Sequence, residues 1–252
     1  MKFNKLYITA IVIGLFHVPS TSYQTILAMP SVDLASVFEH QKELVGSKRL
    51  PSAFQENKNA EQIVSQLVLE IVRESLPKNY KNQSEKVAKT IIEEANKYEM
   101  DPLFLTSIIK HESAFNPKSI GLVGEIGLMQ IRPTTAKWLN DKYKIVKKVN
   151  LKNPITNIKL GAFFLNKLRG KFDNNSRYYM SAYNMGAAKL RQKLKENVKP
   201  KEYVGHVMKH YVKYMERLEV AAEKSLQLSE AEMMIRTAQL CNGIPAKHLA
   251  YN

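Results

Sequence analysis

Cysteine is almost missing from this chain: of its 252 residues only Cys241 is one. A lone cysteine makes no intrachain disulfide and no multi-cysteine metal site. Acidic residues are scarce as well, 23 against 38 lysines and arginines, leaving a formal net charge of +15. Such a surplus suits a polyanionic partner, whether nucleic acid, anionic lipid or an acidic cell wall, and by itself selects none of them. Glycine and proline stand at ten each, too few for a collagen-like or low-complexity chain. At 44% hydrophobic residues the composition is that of a folded protein, with length for one sizeable domain plus attachments or two small ones.

No hydrophobic run is long enough to cross a bilayer as a helix, which takes roughly 20 residues. The longest, Leu6 to Phe16, follows Lys2 and Lys5 and precedes the small and polar stretch "HVPSTSYQTILAMP". This order predicts a secretory signal peptide over residues 1–28, with an uncleaved N-terminal anchor as the alternative. Export removes nucleic acid from the candidate partners and favours a wall or membrane surface. The position of Cys241 gives the expected leader no following cysteine for lipid attachment.

Convincing strand alternation is also absent, and every strong period after residue 58 is helical. Asn59 and Ser84 are expected helix caps, the second ahead of Val87, Ala88, Ile91, Ile92 and Ala95. Asp101-Pro102 and Asn153-Pro154 each pair a cap with a proline suited to a first helical turn, and Pro117 is expected to stop the helix begun at Asp101. "RYYMSAYN" reads as a helix broken near Gly186. "KEYVGHVMKHYVKYMERL" reads as another, and Ser229 with Glu232 as the capping box of a last one ending at Gly243. The fold class is therefore mainly α. Residues 29–58 show no clear period and read as a linker or poorly ordered lead-in, and the basic stretch 142–152 as a solvated surface.

Leu105, Ile108, Ile109 and Glu112 share one helical face. A carboxyl on an apolar face near a helix C-terminus is pushed toward its protonated form, as a general acid requires; the alternative is an edge glutamate paired with Lys110 or Lys118. Next comes "SIGLVGEIGLMQIRP", with Gly121, Gly124 and Gly127 at intervals of three, allowing tight turns and close approach to a ligand. Gln130 and Asn184 offer amides suited to sugar hydroxyls and acetamides, and Tyr183 a phenol able to steady a carboxylate. Taken singly, Tyr183 and Met129 would be plain core residues.

Together, "ES" at 112–113, "GLMQI" at 127–131, "AYN" at 182–184 and Tyr203 in "EYV" resemble the catalytic domains of soluble lytic transglycosylases, which are lysozyme-like and related to goose-type lysozyme. The resemblance spans about residues 86–218. It implies a lysozyme-like helical catalytic domain there; the flanking residues match nothing in that family and, from their helical periods, are expected as helical N- and C-terminal extensions, 29–85 a linker and accessory helix and 219–252 a C-terminal extension. It further implies that Glu112 is the catalytic acid and that Ser113, Gln130, Tyr183, Asn184 and Tyr203 bind or support substrate. The implied substrate is the peptidoglycan glycan strand, cut with 1,6-anhydromuramic acid formation and without metal or cofactor. The chain departs from many relatives in reading "VKPKEYV" before the last tyrosine, with Lys199 in place of a glutamate. Two other functions fit the same motifs: a hydrolytic muramidase, for which Glu125, Asp141 and Asp173 are candidate second carboxylates, and a non-catalytic wall-binding component of a secretion or conjugation apparatus.

Overall fold

The computed structural model describes residues 29–46 and 59–243. The expected signal segment lies outside the described residues. The described part is helical, as expected: α1 Leu34–Val45, α2 Ala60–Ser75, a 3₁₀ turn Lys78–Gln83, α3 Ser84–Lys97, α4 Pro102–Ser113, α5 Pro133–Tyr143, α6 Pro154–Lys171, α7 Ser176–Met185, α8 Ala187–Lys195 and α9 Glu202–Gly243. Among the described residues the only β-type pairings are two isolated bridges, Ile120 with Ile126 and Ile126 with Ile131. No helix among them is long and apolar enough to cross a membrane.

Helix α4 is the centre of the fold. Asp101 accepts a hydrogen bond from Leu103 N–H at 2.7 Å and Pro102 follows, so both the cap and the proline act as their local chemistry requires. From Pro102 to Ile109 every residue is buried, because α2, α3 and α9 all pack on this helix. It is buried all round rather than on one stripe, and its two polar side chains there, Thr106 and Ser107, donate to the Pro102 and Leu103 carbonyls of the same helix. It ends at Ser113, with Ala114 and Phe115 at positive φ, before Pro117 is reached. Glu112 thus stands in the last turn, where a buried helix first meets the surface.

Three expectations need correction. Ser84 does not cap α3: the 3₁₀ turn runs directly into the helix, and the Ser84 hydroxyl donates to the Lys81 carbonyl at 2.7 Å. Ser229 does not start a helix either; α9 runs unbroken past it, and its hydroxyl donates back to Leu226. The stretch expected as a lead-in holds α1, capped by Asp33 and docked on the core. Val32 and Val37 are buried, and His40 is fully buried, taking a hydrogen bond from Asp101 N–H at Nδ1 (3.0 Å). Burial, then the nearby Arg169 charge, pushes the His40 imidazole down to about 3, so it is neutral and its Nε2–H donates to Tyr179 (3.1 Å). Glu43 pairs with Arg169 of α6 at 2.7 Å. α1 is thereby tied to both α4 and α6.

Candidate active site

Glu112 opens into a cleft of about 550 Å³ whose lining also includes Glu125, Gln130, Phe164, Tyr183 and Asn184. Its Oε1 accepts a hydrogen bond from the Tyr203 hydroxyl at 2.5 Å. The Glu112 carboxyl is raised to about 7 by burial first, against the lowering pull of the Tyr203 hydrogen bond and with a further push from the charge of Glu125. The partner of Glu112 is therefore a buried phenol rather than Lys110 or Lys118 at a surface edge.

The glycine-punctuated loop is fixed at four successive carbonyls. Asn157 Nδ2 donates to Ile126 (2.7 Å), the Gln130 amide to Gly127 (2.9 Å), the Ser113 hydroxyl to Leu128 (2.8 Å) and the Tyr183 hydroxyl to Met129 (2.8 Å). Asn157, wholly buried on α6, also accepts from Met129 N–H at 2.7 Å. Gly127 has φ +83°, and a Cβ there would collide with the Leu151 carbonyl and Asn157, so only glycine fits. A Cβ on Gly121 would sit 2.6 Å from Glu125 Oε2 and 2.8 Å from Gln130 Oε1. These bonds explain why Gly-Leu-Met-Gln follows Glu112: the loop is built onto the end of α4 and forms the opposite wall of the cleft.

Several expected site residues therefore sit differently from the sequence reading. Tyr183, expected to steady the carboxylate, holds the loop through Met129, and Tyr203 is the phenol on Glu112. Ser113 bonds the loop carbonyl rather than Glu112. Gln130 spends its amide N–H groups on Ser119 and Gly127 and keeps Oε1 for the cleft. Asn184 lines the cleft as expected. Glu125 pairs with Arg132 at 3.1 Å and accepts from Val123 N–H at 3.2 Å. Burial pushes its carboxyl up, but its own and Val123's backbone N–H groups and the Arg132 guanidinium outweigh that and hold it below its ordinary value. Sequence reasoning missed Asn157, Phe164 and Arg132. Asn157 reads as an ordinary polar helix residue, and only its spacing of four from the Asn153 cap hints that it faces the loop.

Behind Tyr203 lie three histidines. The His111 ring meets Tyr203 edge-on at 4.9 Å, with His206 at 5.5 Å and His210 at 6.4 Å from His111. No group of three or more His, Cys, Asp or Glu among the described residues is placed to hold a metal ion.

Fold and site together define a helical domain with one proton-holding carboxyl in a cleft walled by a rigid glycine loop. Residues 89–204 match the family model of the Transglycosylase SLT domain. The chain is similar to the soluble lytic murein transglycosylase of Escherichia coli (strain K12), 35% identical over 96 residues, which are 37% of this chain and 15% of that protein. It is similar to membrane-bound lytic murein transglycosylase C of Histophilus somni (strain 2336), 37% identical over 107 residues, 37% of this chain and 29% of the relative. The chain thus spans less than a third of the length of these relatives. A solved structure of an inactive mutant of lytic transglycosylase Slt from Pseudomonas aeruginosa covers 63% of this chain and 30% of that one, with 25% identity and a TM-score of 0.48.

Proposed function

We propose that the chain is a peptidoglycan lytic transglycosylase. In this reading it cleaves the β-1,4 bond between N-acetylmuramic acid and N-acetylglucosamine and leaves a 1,6-anhydro ring. The observation that carries it is the Glu112 carboxyl, raised to about 7 and held by Tyr203 at one oxygen. With Oε1 engaged, Oε2 carries the proton toward the cleft and delivers it to the glycosidic oxygen. The sugar's own acetamide stabilises the oxocarbenium-like carbon, and the Gln130 oxygen and the Asn184 amide orient the strand. The Glu112 carboxylate then takes the C6 hydroxyl proton as that oxygen closes on C1. Glu112 regains its proton and no water is consumed. The second carboxyl in the cleft, Glu125, is occupied by Arg132 and Val123, which supports a substrate-supplied nucleophile over a two-carboxylate hydrolase.

Residues 86–218 form the catalytic unit in this reading, with α1 and α2 bracing it and the rest of α9 extending from it. Relatives are named both soluble and membrane-bound, and we place the protein outside the cytoplasm, at the wall, where its positive charge meets an acidic polymer. Glu112→Gln tests the assignment: the amide keeps the shape and removes the acid. Clearance of a peptidoglycan suspension should vanish while circular dichroism stays unchanged. Normal clearance by the variant would remove Glu112 from the mechanism.

A further inference from the structure

Trp138 is the only tryptophan of the chain, and it is 51% exposed. Its neighbours Ala136 and Leu139 carry the core contacts of α5, leaving the indole outside. It is braced rather than free: Tyr143 meets it edge-on at 6.3 Å and packs in turn on Phe163 at 4.8 Å. Between Trp138 and α6 runs a shallow depression lined by Phe164, Asn166, Lys167 and Lys171, with no carboxylate in its wall. Phe164 belongs to the wall of this depression and of the Glu112 cleft alike, and its ring packs on Tyr183 at 5.5 Å. The rims are adjacent too, Gly186 on the cleft and Ala187 on the depression.

The charge here is uncompensated. Lys142 and Lys167 lie 5.4 and 5.3 Å from the Tyr143 ring centre, and neither they nor Lys171 has an ion pair among the described residues. Lys137, on the other side of Trp138, is already paired with Asp141 at 2.6 Å. An exposed, rigidly held indole offers a flat apolar face for the axial C–H groups of a pyranose. Unpaired ammonium groups beside it select carboxylates, and their effect weakens with salt.

We propose that the Trp138 depression is an additional subsite for the strand leaving the cleft, stacking a distal sugar on the indole and meeting the carboxylates of its peptide stem with Lys167 and Lys171. This rests on the reading of the cleft as a glycan site. The shared Phe164 wall favours a continuous strand over a lipid surface, since a bilayer would not enter the concavity.

The test uses the full chain carrying Glu112→Gln, which stops turnover, and follows binding by calorimetry and by the emission of the single tryptophan. Long peptidoglycan strands bearing their peptide stems should bind and shift the emission. Adding Trp138→Ala should weaken calorimetric binding about tenfold, the loss of one anchoring aromatic. Adding Lys167→Glu with Lys171→Glu should weaken stem-bearing strands about fivefold and barely affect strands stripped of stems by an amidase. Strand binding with unchanged emission and no loss in Trp138→Ala would overturn the subsite while leaving the cleft reading intact. No strand binding at all would remove the cleft reading and this proposal together. Equal effects of the lysine changes on stripped strands, which keep only the lactyl carboxylate of each muramic acid, and on intact strands would overturn the assignment of the lysines to the stem carboxylates. An emission shift with phosphatidylglycerol vesicles but not with strands would make the patch a lipid contact instead.

Discussion

Tyr203 donates its hydroxyl proton to Glu112 Oε1 at 2.5 Å, joining the start of α9 to the end of α4 across 91 positions of the chain. The two groups need each other. The phenol is buried, its ionisation pushed well above the ordinary tyrosine range first by that burial and then by the Glu112 charge, so it remains a donor throughout the working pH range. Glu112 gains a fixed rotamer and a stabilised anion.

Tyr203→Phe removes the donor and keeps the ring against His111. A hydrogen bond to the ionised form favours that form, so its loss raises the Glu112 carboxyl further above 7. Protonating the leaving oxygen stays possible, but the carboxylate that must accept the C6 proton is less stabilised. Cleavage should fall by roughly 10²-fold, in the range of losing one charge-stabilising donor. The alkaline limb of the pH–rate profile should move upward. A downward shift of that limb, measured by release of soluble fragments, would contradict the role given to Tyr203.

Glu112 also sets a pH dependence of stability. Its folded value, about 7, lies above its ordinary value of 4.5, so the folded state binds more protons than the unfolded state between those limits. Its contribution is fully present below pH 4.5 and is lost as pH rises through 7. Above pH 7 the charged, weakly solvated carboxylate costs up to about 3 kcal/mol relative to a neutral isostere. Glu112→Gln should therefore be more stable than the wild type in urea at pH 8 and nearly equal to it at pH 4. A stability gap that does not grow between those two pH values would show that Glu112 is not held near 7.

What could be read in advance depended on the range of the interaction concerned. Asp101-Pro102 and Asn153-Pro154 were legible because a cap and its helix are neighbours in sequence. The apolar run ending in Glu112 exposed the acid for the same reason. Helix α1 was not legible, since it docks through His40, Gln41 and Glu43, polar residues whose partners Asp101, Tyr179 and Arg169 lie far along the chain. Polar residues at buried positions spoil the helical period that sequence reading relies on. The exchange of roles between Tyr183 and Tyr203 has a similar origin: motif order places both phenols near the site, but only the packing of α9 on α4 decides which one reaches the carboxyl. Asn157 offered almost no local sign of the two glycine-loop atoms and the Leu151 carbonyl it binds.

Glu125→Gln separates a loop brace from a second catalytic carboxylate. The change weakens the Arg132 pair, whose guanidinium is half exposed and which is worth at most about 1 kcal/mol. It also removes a negative charge that raises Glu112, so the alkaline limb of the rate profile should move slightly downward. Activity should drop only a few-fold, measured as initial clearance rate at a fixed pH of 6. Loss comparable to that of Glu112→Gln would give Glu125 a direct part in the chemistry.

The most direct measurement is mass spectrometry of the soluble fragments released from purified peptidoglycan by the wild-type chain. If the C6 hydroxyl supplies the nucleophile and no water is consumed, fragments will end in 1,6-anhydro-N-acetylmuramic acid, lighter by one water than their hydrolytic counterparts, with few new reducing ends. Fragments ending mainly in reducing N-acetylmuramic acid would contradict the account and make the cleft that of a hydrolase.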